Sequence, residues 1–345
     1  MTRNYARWVR YVAPPAAVAL SFAVPGVLGW ILRWGGVAAL GGQLLAAGAG
    51  RFFPRRLREK GITGAIAVAG YSALIIIALI FVFIFKEGIW TFQHVPWGDI
   101  FLKTIWQPTS EVPKYGIIPL VTGTFLVTVL ALAIAVPLGV GTAVYLAEVA
   151  GPGEREFVKP VVELLSAIPS VVYGLLGMVI LGDVIPRITG SPFRLSALNG
   201  AVVLALMLTP MLASLAEDAF FSVPRSYRVA SYALGATRWE TIRRVVMPAA
   251  APGTAAAVLL ALARTLGETM AVLLATGNAA VFTLNPLHAV RTMTATIAIE
   301  MGEAAFGSPH YHALFALGII LFTATFFINL GAEAVMSRFV RRFGR

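Results

Sequence analysis

The chain alternates long apolar blocks with short polar and basic connections. Six blocks, 64–85, 117–146, 160–181, 195–216, 249–277 and 311–335, hold few or no charges. Each is about 20 residues or longer, the length a helix needs to cross a ~30 Å hydrocarbon core. In lipid every backbone N–H and C=O needs an internal partner, so blocks of this length predict helices. The pattern is that of an all-α integral membrane protein with about six transmembrane helices.

Features within the blocks refine this outline. Pro137, Gly139 and Gly141 interrupt the second block, and Pro169 lies inside the third, where it is expected to kink the helix. Glu163 stands near the start of that third block. Residues 86–115 carry Trp90, Trp97 and Trp106 among Pro96, Pro108 and Pro113, which predicts an ordered loop with aromatic side chains near the interface.

Residues 13–50 are apolar as well, but Arg33 divides them and Pro25, Gly26, Gly35, Gly36, Gly41 and Gly42 weaken both pieces as spans. A helical hairpin and an interfacial segment both fit. Arg3, Arg7 and Arg10 precede an apolar run without a small-residue cleavage site, so no cleaved signal peptide is expected. The expected organisation is an N-terminal apolar and basic extension (1–60), a first span with its outer loop (61–116), a helical core (117–335) and a basic tail (336–345).

Composition agrees with the pattern. Of 345 residues, 58% are hydrophobic and 12% charged, against about a quarter charged in soluble domains. The net charge of +11 does not point to nucleic acid, because the bases fall in short clusters that flank the apolar blocks. Segments 51–60, 147–159, 217–247 and 336–345 hold 5, 2, 5 and 4 Lys or Arg, against 3, 2 and 1 in 86–115, 182–195 and 278–310. The positive-inside rule therefore places the 217–247 loop and the C-terminus in the cytoplasm. Cysteine is absent, which excludes disulfides and thiolate chemistry.

The candidate chemistry is concentrated in residues 220–277. Arg225, Arg228, Arg238, Arg243 and Arg244 are interleaved with short apolar pairs up to Pro248, a composition suited to a membrane surface. Residues 231–234 lead into Gly235, and 236–246 have helical spacing before Pro248, which is expected to stop the pattern. A short helix, a glycine turn and a second short helix would form a rigid handle. Beyond it, Arg264 and Glu268 are spaced i, i+4, which on a continuous helix puts them on one face. A charge at mid-membrane costs about 2.5–3.5 kcal/mol on insertion scales, so both should face protein or water, and preferably each other.

Other polar groups have simpler readings. Thr265 and Thr269 can bond back to helix carbonyls. Glu163 is either a second pathway residue or a charge at a helix N-terminus, and Pro169 with Ser170 either opens the pathway or serves packing. Arg291 is a loop arginine able to meet an anion, while His310 and His312 read as interfacial. No G-x-x-x-x-G-K-[ST] phosphate loop and no H-E-x-x-H is present, so neither nucleotide hydrolysis nor a metal site is assigned to the chain.

The run ALGATRWETIRRVVMPAAAPG resembles the cytoplasmic loop of ABC importer permeases, with its Glu-Ala-Ala, Gly and apolar-Pro pattern. Ala230, Gly235 and Pro248 match in register, followed after the glycine by Ala236 and Thr237. Val229 stands in place of the pattern's glutamate, Ser231 in place of its second alanine and Met247 in place of a frequent leucine. The segments VYLAEVA, PVVELLSAIPSVVYGLLG, ARTLGETMAVLLATGN and TMTATIAIEMGEA look like the PstC-type permease of high-affinity phosphate importers, from about residue 55 onward.

The resemblance implies a type I ABC importer permease fold and import of inorganic phosphate across the inner membrane by a subunit that is not itself an enzyme. It implies that Arg264 and Glu268 serve translocation, and that residues 217–247 dock an ATPase. It also implies a PstA-like second permease, two copies of a PstB-like ATPase that holds ATP and Mg, and a PstS-like extracytoplasmic binding protein. The alternatives are another oxyanion such as sulfate or molybdate, the sister PstA-type subunit, and a membrane enzyme acting on a phosphorylated lipid. The last should need a catalytic cluster near one interface, and none is evident.

Overall fold

The computed structural model describes residues 55–343. The expected extension lies outside this range except for its last six residues. The chain divides into two compact units, 1–80 and 81–345. In the first unit the described residues belong to helix α1 (Arg55–His94), and every residue from 66 to 80 is exposed. An uncharged, uncovered stretch of this kind is suited to lipid.

Among the described residues, six helices are long and apolar enough to cross a membrane: Ile66–His94, Ile118–Val149, Ser170–Thr189, Ala197–Phe221, Arg238–Gly267 and Pro309–Gly331. In chain order the elements after α1 are α2 (Trp97–Phe101), β1 (Trp106–Gln107), β2 (Lys114–Tyr115), α3 (Ile118–Val144), α4 (Pro152–Ser166), α5 (Ser170–Leu176) and α6 (Gly182–Thr189). They continue with α7 (Ala197–Phe221), α8 (Arg225–Ala233), α9 (Arg238–Thr241), α10 (Met247–Gly267), α11 (Met270–Ala275), α12 (Met293–Glu300) and α13 (Pro309–Phe343). Single π turns, Tyr145–Val149, Gly177–Leu181 and Ile242–Val246, follow α3, α5 and α9.

The core of the second unit forms where α3 packs along α7. Ala131, Ala135 and Ala143 of α3 and Ala201, Ala213 and Ala216 of α7 are buried. A Cβ added to Gly139 would lie 2.6 Å from Leu212 Cβ. Lipid is as apolar as leucine and does not drive two helices together, so close backbone approach over small residues provides the dispersion contacts that do.

Several expectations change at the element ends. The first span does not close at residue 85: α1 continues to His94, because Lys86 and Glu87 interrupt the apolar run without breaking a helix. Residues 86–115 are accordingly not all loop, since α2 and the antiparallel β1–β2 ladder, with Trp106 opposite Tyr115, also lie there. Trp106, Tyr115, Ile100 and Ile117 form a small buried cluster with Leu120 and Leu314. Burial pushes the Tyr115 phenol above its ordinary pKa, so it stays protonated.

The third block, expected at 160–181, is two elements. Its first part belongs to α4, which contains Pro160 and no buried residue, and its apolar part runs as Ser170–Thr189. Pro169 does not kink a helix from inside. It is the N-cap of α5, in a conformation (φ −59°, ψ 140°) that separates α4 from α5. The clash between a proline ring and its preceding residue disfavours helical Ile168, so α4 ends first.

Pro248 likewise does not stop the pattern, because the span Arg238–Gly267 passes through it. The π turn absorbs the proline: Met247 N–H bonds the Ile242 carbonyl five residues back, and Pro248, which lacks an N–H, falls in the first turn of α10. The fifth span ends at Gly267 rather than Gly277.

Candidate functional site

The handle forms as its sequence indicates. Helix α8 closes at Leu234, and Gly235 takes φ 81°, a left-handed conformation that ends the helix without Cβ strain. The Ala236 N–H reaches back to the Ser231 carbonyl at 3.2 Å. Thr237 then caps α9: its hydroxyl accepts from Glu240 N–H at 3.3 Å, and the Glu240 carboxylate accepts from Thr237 N–H at 2.9 Å. Ser231 and Thr241, both buried, share a hydroxyl hydrogen bond of 2.9 Å that joins the two helices. The serine that replaces the pattern's alanine therefore has a structural use.

No atom would lie within 4 Å of a Cβ at Gly235, so Gly235→Ala meets only the left-handed backbone cost of about 1–2 kcal/mol. The expected outcome is a severalfold loss of transport with unchanged membrane insertion, read by uptake and by quantifying the protein in membranes.

Two acidic residues that the sequence reading did not single out fix the handle and its neighbour. Glu148, in the π turn after α3, lies 2.5 Å from Arg228 Nη2, and its side chain is only 7% exposed. Arg228 also donates to the carbonyls of Val223 (2.7 Å) and Phe220 (3.0 Å), at the end of α7. Arg238 Nη2 donates to the Glu148 carbonyl. On α7, Glu217 is 1% exposed and pairs with Arg155 at 3.2 Å and Lys159 at 3.3 Å, which fastens α4 to that helix.

Outward from this base the handle presents Tyr227, Val229, Leu234 and Trp239, all exposed, with Leu234 at 89%. Ala230, Thr237 and Pro248 are exposed and Ala236 half-buried. Val229, at the position of the pattern's glutamate, thus belongs to an apolar face uncovered in this chain.

The expected ion pair within the fifth span does not form. Helix α10 closes at Gly267, and Glu268 is extended (φ −70°, ψ 134°), so the i, i+4 spacing no longer describes a common helix face. The turn carries the Glu268 side chain onto the start of α11, where Oε1 accepts from the N–H groups of Thr269 (3.1 Å) and Ala271 (3.4 Å). Its backbone carbonyl accepts from the Thr294 hydroxyl at 2.7 Å. Glu268 lines a narrow crevice with Thr124, Thr128, Thr265, Thr292 and Thr294. Arg264 is exposed and makes no hydrogen bond or ion pair among the described residues. Thr265 bonds back to the Ala261 carbonyl at 2.6 Å and Thr269 to that of Gly267 at 3.3 Å.

Glu163 is placed apart from this site. It is exposed on α4, beside Arg155, Glu156 and Lys159, and does not belong to an apolar span. Pro169 is exposed and Ser170 half-buried at the junction of α4 and α5.

At the start of α3 the loops are held by a third acidic residue. Glu300 accepts from Arg291 Nη1 at 2.7 Å and Trp106 Nε1 at 3.1 Å, and lies 2.9 Å from His310 Nε2. His312 faces Glu87 at 3.4 Å and stacks on Trp90. Both histidines thus have acidic partners, and no group of three or more metal-ligating side chains occurs among the described residues.

Residues 135–345 match the family described as binding-protein-dependent transport system inner membrane component. The chain belongs to that family. The permease is 38% identical over 288 residues to the "Probable ABC transporter permease protein YqgH" of Bacillus subtilis, covering 82% of this chain and 93% of that one. It is 36% identical over 258 residues to the "Phosphate transport system permease protein PstC" of Mesorhizobium japonicum, covering 69% of this chain and 78% of that one.

Among solved structures it resembles a chain of a bacterial alginate ABC transporter, with TM-score 0.57, 19% identity, and 82% and 98% of the two chains covered. The fold is that of type I ABC importer permeases, a transport subunit and not an enzyme. Six apolar helices among the described residues, in a member of an inner-membrane family, make it a multi-pass membrane protein.

Proposed function

We propose that this permease carries inorganic phosphate inward as one half of a two-permease, two-ATPase importer. The observation that carries the reading is 36% identity over 69% of the chain to a protein named as a phosphate transport permease. The uncovered Arg264 supports it chemically, because a planar guanidinium offers paired donors to a tetrahedral oxyanion. An arginine of a span exposed to lipid would be costly, so its place is on a water-filled pathway against the second, PstA-like permease. Glu268, Pro169 and Ser170 border the same pathway in this proposal, with Glu163 at its approach.

The handle supplies the energetic link. Two copies of a PstB-like ATPase hold ATP and Mg, and one of them grips the apolar face of Leu234, Trp239 and Val229 around Gly235. Closure of the ATPases then pulls on Arg228 of α8 and, through it, on Glu148 after α3 and the carbonyls at the end of α7, and switches the side to which the pathway is open. A PstS-like binding protein delivers phosphate at the opposite loops. Their poverty in Lys and Arg relative to the handle supports a cytoplasmic handle and C-terminus.

The test is labelled-phosphate uptake at micromolar concentration in cells lacking other high-affinity phosphate import, with this permease supplied alongside its neighbouring transport genes. Uptake competed by unlabelled phosphate and not by sulfate or molybdate is expected. Competition by sulfate or molybdate alone would contradict the phosphate reading.

A further inference from the structure

The break that places Glu268 is held from outside its own helix. Glu268 ends α10, so its carbonyl is among those a helix leaves without an internal partner. The Thr294 hydroxyl fills that position at 2.7 Å, and the Thr292 hydroxyl lies 3.1 Å from the Thr294 oxygen. A threonine hydroxyl has a single proton. Since Thr294 directs its proton to Glu268, the proton between the two threonines comes from Thr292, whose oxygen in turn accepts from Ala295 N–H at 3.2 Å. Next to them, Met293 N–H donates to the Thr124 hydroxyl of α3 at 3.0 Å. Thr124, Thr292 and Thr294 are all buried, so this polar chain has little access to water that could replace a lost link.

The same short helix reaches the loop cluster. Thr294 lies in the first turn of α12, and Glu300, its last residue, holds Arg291, His310 and Trp106. Eight residues at 1.5 Å each make a rigid strut of about 12 Å between the cluster and the Glu268 break. We propose that Thr294 is a positioning residue for Glu268, fixing the break in the fifth span to α12 so that the 278–310 loop and the pathway shift as one. The inference rests on the pathway role given to Glu268 above.

The chain contains no cysteine, so one introduced thiol reports without background. Gly267 suits it: the residue is exposed, and a Cβ there meets no atom within 4 Å. In the assembled importer in vesicles, Gly267→Cys is compared alone and with Thr294→Val or Thr294→Ser, by rate of modification with a maleimide and by phosphate moved per ATP hydrolysed.

The valine variant is expected to change the modification rate about tenfold and to lower the phosphate-to-ATP ratio about tenfold, while the serine variant matches its parent in both. Equal modification with and without Thr294→Val, including none in either, overturns the proposal. So does a serine variant as impaired as valine, or altered labelling with unaltered coupling. If the parent moves no phosphate, the phosphate reading fails, and the labelling comparison alone decides whether Thr294 holds the break.

Discussion

Replacing Arg264 with alanine is expected to lower phosphate uptake by about one to two orders of magnitude while leaving the amount of protein in the membrane unchanged. The second half of that expectation comes from the structure. Arg264 is exposed and makes no bond within the described chain, so its removal leaves no buried partner uncompensated. The first half comes from what a guanidinium gives an oxyanion. A hydrogen bond to a charged group contributes about 1.5–3 kcal/mol, so loss of one such contact lowers the transport rate by roughly 10- to 150-fold. Arg264→Lys keeps the charge but not the planar fork, and an intermediate rate is expected. Uptake rates normalised to membrane protein check the series, and an alanine variant with undiminished uptake would remove Arg264 from the pathway.

The second large effect belongs to Arg228. This side chain, on the first helix of the handle, binds the Glu148 carboxylate and two carbonyls at the end of α7. Arg228→Ala leaves Glu148 nearly buried and unpaired, a loss of the kind that costs about 3–5 kcal/mol. We expect transport to fall to background and ATP hydrolysis by the assembled importer to lose its dependence on the binding protein. Glu148→Gln is expected to be milder, because the amide retains the shape and Arg228 keeps its bonds to Val223 and Phe220. Equal severity of the two variants would mean that the carbonyl contacts at the end of α7 are unimportant.

The apolar blocks that form α3 and α7 were legible because their length alone demands a helix in lipid. The handle was legible for a different reason: Gly235 and the Thr237 to Glu240 spacing are local signals, complete within a few residues. The break at Glu268 was not, because a nearly all-apolar segment has no polar period to show where its helix stops. There the i, i+4 spacing of Arg264 and Glu268 crosses a chain break that Thr294 holds.

The division between α4 and α5 did leave a signal. Arg155, Glu156, Lys159 and Glu163 give α4 a polar stripe that ends before Pro169, so a shorter apolar window would have separated the two. Glu148 and Glu217 could not be found this way, since their partners lie 80 and 62 positions distant. Pairings at such separation are fixed by how helices pack and not by any local pattern.

The most direct test of the central claim is ATP-driven uptake of labelled phosphate into vesicles holding this permease, its partner permease and their ATPase, with the binding protein added to the side away from the ATPase. Uptake is expected to require all components, to be competed by phosphate but not by sulfate or molybdate, and to fall at least about tenfold with Arg264→Ala. Uptake competed by sulfate or molybdate and indifferent to phosphate, or no anion uptake by the complete assembly, would contradict the claim.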